Sequence, residues 1–221
     1  KCGEKKNETI PAGHSFSAWK TTTGATVFAV AVQTRTCSGC GKKETRTTGN
    51  KLTPTIKVNA TKLPLKTKQT FNVKVTTGKG DKVVSWKSSN KKVVSVSKNG
   101  KIKGLKAGKT ATITVQLQSG LKASFKVKVQ KKNVATKSLK VVNVSTGKKV
   151  SSKVSLKRKQ TLKLATTVSP ITSKEKVKYA SSNKKVVSVS SKGVIKAKKK
   201  GKATITVKSG KKTYKIKVTV K

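Results

Sequence analysis

The stretch SSNKKVVSVS stands at Ser88–Ser97 and again, letter for letter, at Ser181–Ser190. Working outward, the match continues on both sides. Val84-Ser-Trp86-Lys-Ser-Ser-Asn90 aligns with Val177-Lys-Tyr179-Ala-Ser-Ser-Asn183, and Asn99-Gly100-Lys-Ile102 with Lys192-Gly193-Val-Ile195. Further on, Ala107-Gly108-Lys-Thr-Ala111-Thr-Ile-Thr-Val115 aligns with Lys200-Gly201-Lys-Ala203-Thr-Ile-Thr-Val207, one residue shorter. Upstream, Leu65-Lys-Thr-Lys-Gln69-Thr70 pairs with Leu156-Lys-Arg-Lys-Gln160-Thr161. A period of about 90 residues is too long for a solenoid repeat and suits a whole domain in tandem.

The repeats read as β-structure. In KASFKVKV (Lys122–Val129) and YKIKVTVK (Tyr214–Lys221) apolar and polar residues alternate strictly. That period of two puts lysine on the wet face of a strand and Val, Ile, Leu and Phe on the other. A chain with only 33% hydrophobic residues and a formal charge of +50 can therefore still form packed sheets rather than a disordered basic tail. Each copy holds about seven short β-runs between turn signals, the spacing of a β-sandwich. In the first they lie near 55–59, 70–76, 82–87, 93–97, 101–104, 110–117 and 122–129. In the second they lie near 139–144, 161–168, 176–180, 186–190, 194–197, 203–208 and 212–220. Asn99-Gly100 and Lys192-Gly193 fall where a tight hairpin needs positive φ. Trp86 and Tyr179 share one repeat position and read as core aromatics. The expected fold class is all-β: two tandem β-sandwiches over 51–131 and 132–221, which the resemblance below makes immunoglobulin-like, after a small Cys/His module over 1–50.

The pattern (V)xWxSSNxxVxxVxxxGxIxGxxxGxATIT(V), followed almost continuously in both copies, resembles the bacterial immunoglobulin-like domain of group 2. The resemblance covers roughly 55–221. It implies extracellular modules, found in tandem in surface proteins, adhesins and secreted enzymes of bacteria. The second copy has Ala197 where the first has Gly104, and Lys200 where a small residue is usual.

The first fifty residues hold all three cysteines, the one histidine and three of the five acids. Cys37-Ser-Gly-Cys40-Gly41 has the CxxCG form of a zinc knuckle. Cys2, His14, Cys37 and Cys40 make an allowed tetrahedral set, with no position left open for catalysis, so a bound zinc is expected to be structural. A Cys37–Cys40 disulfide with Cys2 free is the alternative in an oxidising setting. A thioredoxin-like role lacks its βαβ context. His14–Thr47 also resembles a short Cys/His repeat of surface proteins from gut Firmicutes, which suggests a zinc-ribbon-like module over about 2–48. Phe16, Trp19 and Phe28 read as its small core.

Residues 50–221 contain no His, no Cys and two acids, Asp81 and Glu175, placed in corresponding loops of separate domains. General acid–base work, a carboxylate pair for glycoside hydrolysis and a serine triad all lack their groups. Clustered calcium carboxylates and phosphate-binding glycine loops are missing too. The expected class is non-catalytic. No run of 18 apolar residues is present to span a membrane. The start at Lys1 is read as that of a fragment whose upstream domain is missing.

Charge is the remaining clue. There are 55 Lys+Arg against 5 Asp+Glu, and only Arg35, Arg46 and Arg158 are arginine. Such a field attracts polyanions with a steep salt dependence. The expected contacts are Lys91 and Lys92, Lys131 and Lys132, Lys184 and Lys185, Lys198, Lys199 and Lys200, and Lys211 and Lys212. The expected partner is an anionic cell-wall polymer such as teichoic acid, or an acidic glycan, at the surface of a Gram-positive bacterium. Sequence-specific nucleic-acid reading is disfavoured by the few arginines and aromatics. Two alternatives remain: a passive stalk presenting an upstream domain, and an adhesin binding a host protein. The adhesin would need an exposed apolar patch.

Overall fold

The computed structural model describes residues 13–221, so Cys2 lies outside the described residues. Among those residues all regular structure is β-strand. The chain packs as two compact units. One runs to Lys57 and takes in Val75–Ser85 and Gln116–Ala123; the other holds Val58–Lys74, Trp86–Val115 and Ser124–Lys221.

The N-terminal module is an antiparallel sheet of β1 (Lys20–Thr23), β2 (Ala31–Thr36) and β3 (Lys43–Thr48), in that order. The first repeat supplies β4 (Ile56–Val58), β5 (Lys62–Lys66), β6 (Thr70–Asn72), β7 (Val75–Thr77), β8 (Val83–Ser88), β9 (Val94–Val96), β10 (Lys101–Gly104), β11 (Thr110–Leu117) and β12 (Lys122–Gln130). They form a sheet of order β5-β12-β11-β8, a second of order β6-β10-β9, and the ribbon β4-β7. The second repeat supplies β13 (Ser138–Asn143), β14 (Lys153–Leu156), β15 (Thr161–Ser169), β16 (Lys178–Ser181), β17 (Val187–Val189), β18 (Val194–Ala197), β19 (Gly201–Ser209) and β20 (Lys212–Val220). Its sheets run β14-β20-β19-β16 and β13-β15-β18-β17.

Alternation builds the cores. In β20 Ile216, Val218 and Val220 are buried while Lys215 and Lys217 are exposed. β12 buries Phe125, Val127 and Val129 in the same way. Both sheets of the second sandwich feed one cluster: Val141, Leu164 and Ile195 from one side, Leu156, Ile205 and Ile216 from the other. Each such side chain contributes about 1.5–3 kcal/mol on burial. The first repeat repeats this arrangement with Leu63, Leu65, Ile102, Ile113 and Val127.

The sequence reading missed one strand per sandwich. β5 and β14 are short edge strands that pair parallel to the last strand of their repeat, Leu63 opposite Val127 and Val154 opposite Val218. Pro64 within KLPLK argues against a strand, yet an edge tolerates it. KVSL is too short to show alternation clearly.

The turns behave as expected. Gly100 and Gly193 have φ of 73° and 77°. Trp86 and Tyr179 are half-buried against the two cores, and the Tyr179 hydroxyl donates to Thr166 Oγ1 at 2.9 Å. The connection between the sandwiches is tied down on both sides. Thr136, 4% exposed, donates its amide to Glu175 at 2.7 Å and bonds the Ser209 hydroxyl at 2.9 Å. Thr172, 1% exposed, donates to the Pro64 carbonyl and accepts from Gln69 Nε2 at 2.7 Å.

Candidate functional site

The Cys/His cluster is assembled by backbone pairing. Phe16 bridges to Cys37, and the amide of Ser38 donates to the Ser15 carbonyl at 2.9 Å. These bonds carry His14 to the CxxCG turn, where Gly41 adopts φ 70° and donates to the Cys37 carbonyl. His14 Nδ1 stands 3.2 Å from Cys40 Sγ. The ligand atoms of His14, Cys37 and Cys40 all lie within 4.8 Å of one another. Both described cysteines are free thiols, Cys37 buried and Cys40 exposed. The Cys40 amide and the His14 side chain lower the Cys37 pKa to about 6, against burial, which raises it. Tetrahedral zinc places two sulfurs about 3.8 Å apart, each about 3.6 Å from a ligand nitrogen, so the three groups fit that ion.

The aromatics of the module differ from expectation. Phe16 and Trp19 are half-buried beneath guanidinium groups: Arg35 lies 4.3 Å from the Phe16 centroid and 4.7 Å from that of Trp19, and Arg46 lies 4.4 Å from Trp19. Phe28 is 41% exposed, while Val27 beside it is buried. The buried Val27 packs where a side chain on Gly78 would collide with it, at 2.9 Å. Phe28 therefore does not belong to the small core.

Every described acid has a local partner. Glu44 takes two bonds from Arg35, at 2.7 and 2.8 Å, the single ion pair among the described residues. Asp81 accepts from the Ser119 hydroxyl at 2.6 Å and the Lys82 amide at 2.9 Å. Burial pushes the Asp81 pKa up, but the Ser119 hydroxyl and the amides of Ser119, Lys82 and Gln118 outweigh it and hold the carboxyl low. Glu175 accepts the Thr136 amide. The two acids stand in corresponding loops, as expected: Asp81 braces the turn at Ser119 and Glu175 holds the connection at Thr136.

The lysines singled out in sequence are all exposed, but they do not form one site. Lys184 and Lys185 lie beside Lys198–Lys200, because the amides of Lys198 and Lys199 both donate to the Val186 carbonyl. Lys211 and Lys212 lie beyond the other end of β19, about 30 Å away at 3.3 Å per residue. Lys91 and Lys92 precede β9, and Lys131 and Lys132 follow β12.

Strand register reveals a set that sequence reading overlooked. Lys62 stands directly opposite Lys126 on β5 and β12, and Lys153 directly opposite Lys217 on β14 and β20. Like charges facing across a sheet repel. The same opposition recurs at the same place in both sandwiches. Alternation in β12 and β20 signalled the outward lysines; the pairing required the missed edge strands.

A family model, bacterial Ig-like domain (group 2), matches residues 47–127 and 141–220. An uncharacterised protein of Clostridium acetobutylicum is 36% identical over 154 residues, 69% of this chain and 15% of that protein. The chain thus spans a small part of the relative's length. Among solved structures, domains 4 and 5 of the S-layer protein SbsC share 23% identity over 62% of this chain and 75% of that one, with a TM-score of 0.34. The C-terminal 282-residue fragment of intimin, solved with the intimin-binding domain of its translocated receptor, shares 16% over 93% and 64%, with a TM-score of 0.29. Invasin, a bacterial integrin-binding protein, shares 13% over 95% and 52%, with a TM-score of 0.28.

Proposed function

The chain belongs to the bacterial Ig-like domain (group 2) family, and from that premise we propose that it is a non-catalytic extracellular region that attaches to an anionic polymer of a Gram-positive cell wall through its lysines. Teichoic acid is the favoured partner and an acidic glycan the second. One observation carries this reading: among the described residues the lysine charge has no internal counterpart. Among the described residues Glu44, Asp81 and Glu175 are each engaged locally, and no lysine forms an ion pair. Solubility alone asks for a charged, mixed surface. Lysine set opposite lysine in both sandwiches costs stability that a bound polyanion returns.

A second reading, a spacer that holds an upstream domain away from the surface, is favoured by the tied junction at Thr136 and Thr172. The two readings separate in one experiment. Purified Gram-positive walls, with and without teichoic acid, are sedimented with the protein across a sodium chloride series. Attachment predicts co-sedimentation that is lost with teichoic acid and falls steeply with salt. No sedimentation even at low salt overturns it and leaves the spacer.

For the N-terminal module we propose a structural zinc held by His14, Cys37 and Cys40, with Cys2 as the fourth ligand. Zinc supplies there a cross-link in place of a large core. Intact-mass measurement under native conditions decides the matter: the mass of one zinc ion supports it, and a mass lower by two hydrogen atoms without metal means that an oxidant has formed a disulfide instead, which peptide mapping assigns to Cys37–Cys40 or to a pair with Cys2.

A further inference from the structure

On the outer face of the second sandwich a shallow depression of about 560 Å³ is lined by Lys153, Lys202 and Lys217. Hydroxyls fill the spaces between them: Ser155, Ser182, Thr204 and Thr219. No acidic side chain lines it. Register explains the convergence. Lys153 faces Lys217 across the parallel pair, Thr204 faces Lys217, and Lys202 faces Thr219, which in turn faces Ser155. Three neighbouring strands about 4.8 Å apart thus carry three ammonium groups on long flexible stems around one set of hydroxyls. Ser182 is fixed in place because its hydroxyl accepts the Thr204 amide at 2.8 Å.

We propose that this depression is an anion-binding subsite that takes one phosphodiester group of a polyol-phosphate chain, an inference that rests on the attachment reading above. The phosphodiester follows from the attachment reading, and the donors suit it: lysine binds phosphate as a compact point charge, and three ammonium groups on flexible stems can surround a tetrahedral oxyanion. The hydroxyls add donors for phosphate oxygens and partners for the polyol hydroxyls on either side. The first sandwich keeps the opposed pair Lys62 and Lys126; it has Thr110 and Lys128 where Lys202 and Thr219 stand, and Pro64 where Ser155 stands, so it carries three lysines on this face but lacks the Ser155 hydroxyl beside the pair. The lysines at the turns supply long-range attraction, while this face supplies a place for one phosphate.

The test uses the full chain and a synthetic poly(glycerol phosphate) of defined length, titrated at fixed salt by heteronuclear NMR. K153Q/K202Q/K217Q is compared with K184Q/K185Q/K198Q, which removes the same charge from the turns. Thermal midpoints check that both triple variants are folded. The subsite predicts shifts centred on Lys153, Thr204, Lys217 and Thr219, and an affinity loss of about tenfold or more in the first variant. The second variant should lose about threefold or less. Equal losses in the two variants, with shifts spread over the lysine turns, overturn the subsite while leaving dispersed attachment standing. No binding by the wild-type chain overturns both.

Discussion

Gly100 and Gly193 sit at equivalent hairpins, yet they are guarded differently. A Cβ on Gly100 would lie 2.6 Å from the Trp86 ring, whereas one on Gly193 would lie 3.0 Å from Tyr179 and from the Leu164 carbonyl. Both have left-handed φ, which costs an L-residue about 1–2 kcal/mol. Gly100→Ala should therefore cost about 2–3 kcal/mol and Gly193→Ala about 1–2 kcal/mol. Native-state hydrogen exchange reads each sandwich separately, and equal losses would count against the role given to Trp86. Asp81 acts at the same scale. Its carboxyl is held below the ordinary value near 3.9, because bonds from Ser119 and Lys82 prefer the charged form. The folded state then binds fewer protons than the unfolded one. Its contribution is fully present above about pH 4 and is lost as pH falls through the lower folded value. Asp81→Ala should lower the thermal midpoint at pH 7 and flatten its fall on the acid side of about pH 4. An unchanged acid limb in that variant would remove the assignment.

At the scale of elements, the duplicated SSNKKVVSVS explains itself. Ser89 and Ser182 accept the amides of Thr112 and Thr204 from the central strands, at 2.9 and 2.8 Å. Asn90 and Asn183 close turns onto Lys92 and Lys185, at 3.1 and 3.0 Å. Val94 and Val187 are fully buried. In both copies the lysine side chains are exposed and form no ion pair. The identity of the stretch is thus structural, and this was legible from repetition and spacing. The edge strands β5 and β14 were not legible, because Pro64 and a four-residue length hide alternation. With them went the opposed lysines, which exist only once register is known; doublets such as Lys91-Lys92 are conspicuous in sequence but lie at turns. The repeated turn before β6 and β15 carries one further consequence. Lys68 and Lys159 adopt φ of 66° and 68°, while Gln69 and Gln160 each cap the turn at 2.9 Å. Lys159→Gly relieves the left-handed cost and gives back part of it as chain entropy, so a gain of about 0.5–1 kcal/mol is expected in urea unfolding. A loss would mean that the lysine stem contributes packing that the turn geometry does not reveal.

For the whole molecule the governing quantity is a net charge of +50 on 221 residues. Each sandwich closes a core of ordinary aliphatic residues, so the fold itself asks for no unusual charge. Self-repulsion works against it in the compact state more than in the expanded chain. The cost falls as the screening length shrinks from about 30 Å at 0.01 M salt to about 8 Å at 0.15 M. Sodium chloride should therefore raise the thermal midpoint by several degrees over that range, opposite to a fold stabilised by surface ion pairs. Poly(glycerol phosphate) at low salt should raise it further, because a ligand that binds the folded face stabilises by mass action. Added salt should then erase that second increment while preserving the first, since screening weakens the polymer's hold and the self-repulsion alike. A midpoint that is flat or falling in sodium chloride would mean that the lysines are spaced widely enough to cost little. The opposed pairs on β12 and β20 would then need no anion to relieve them, and the case for attachment would rest on wall sedimentation alone.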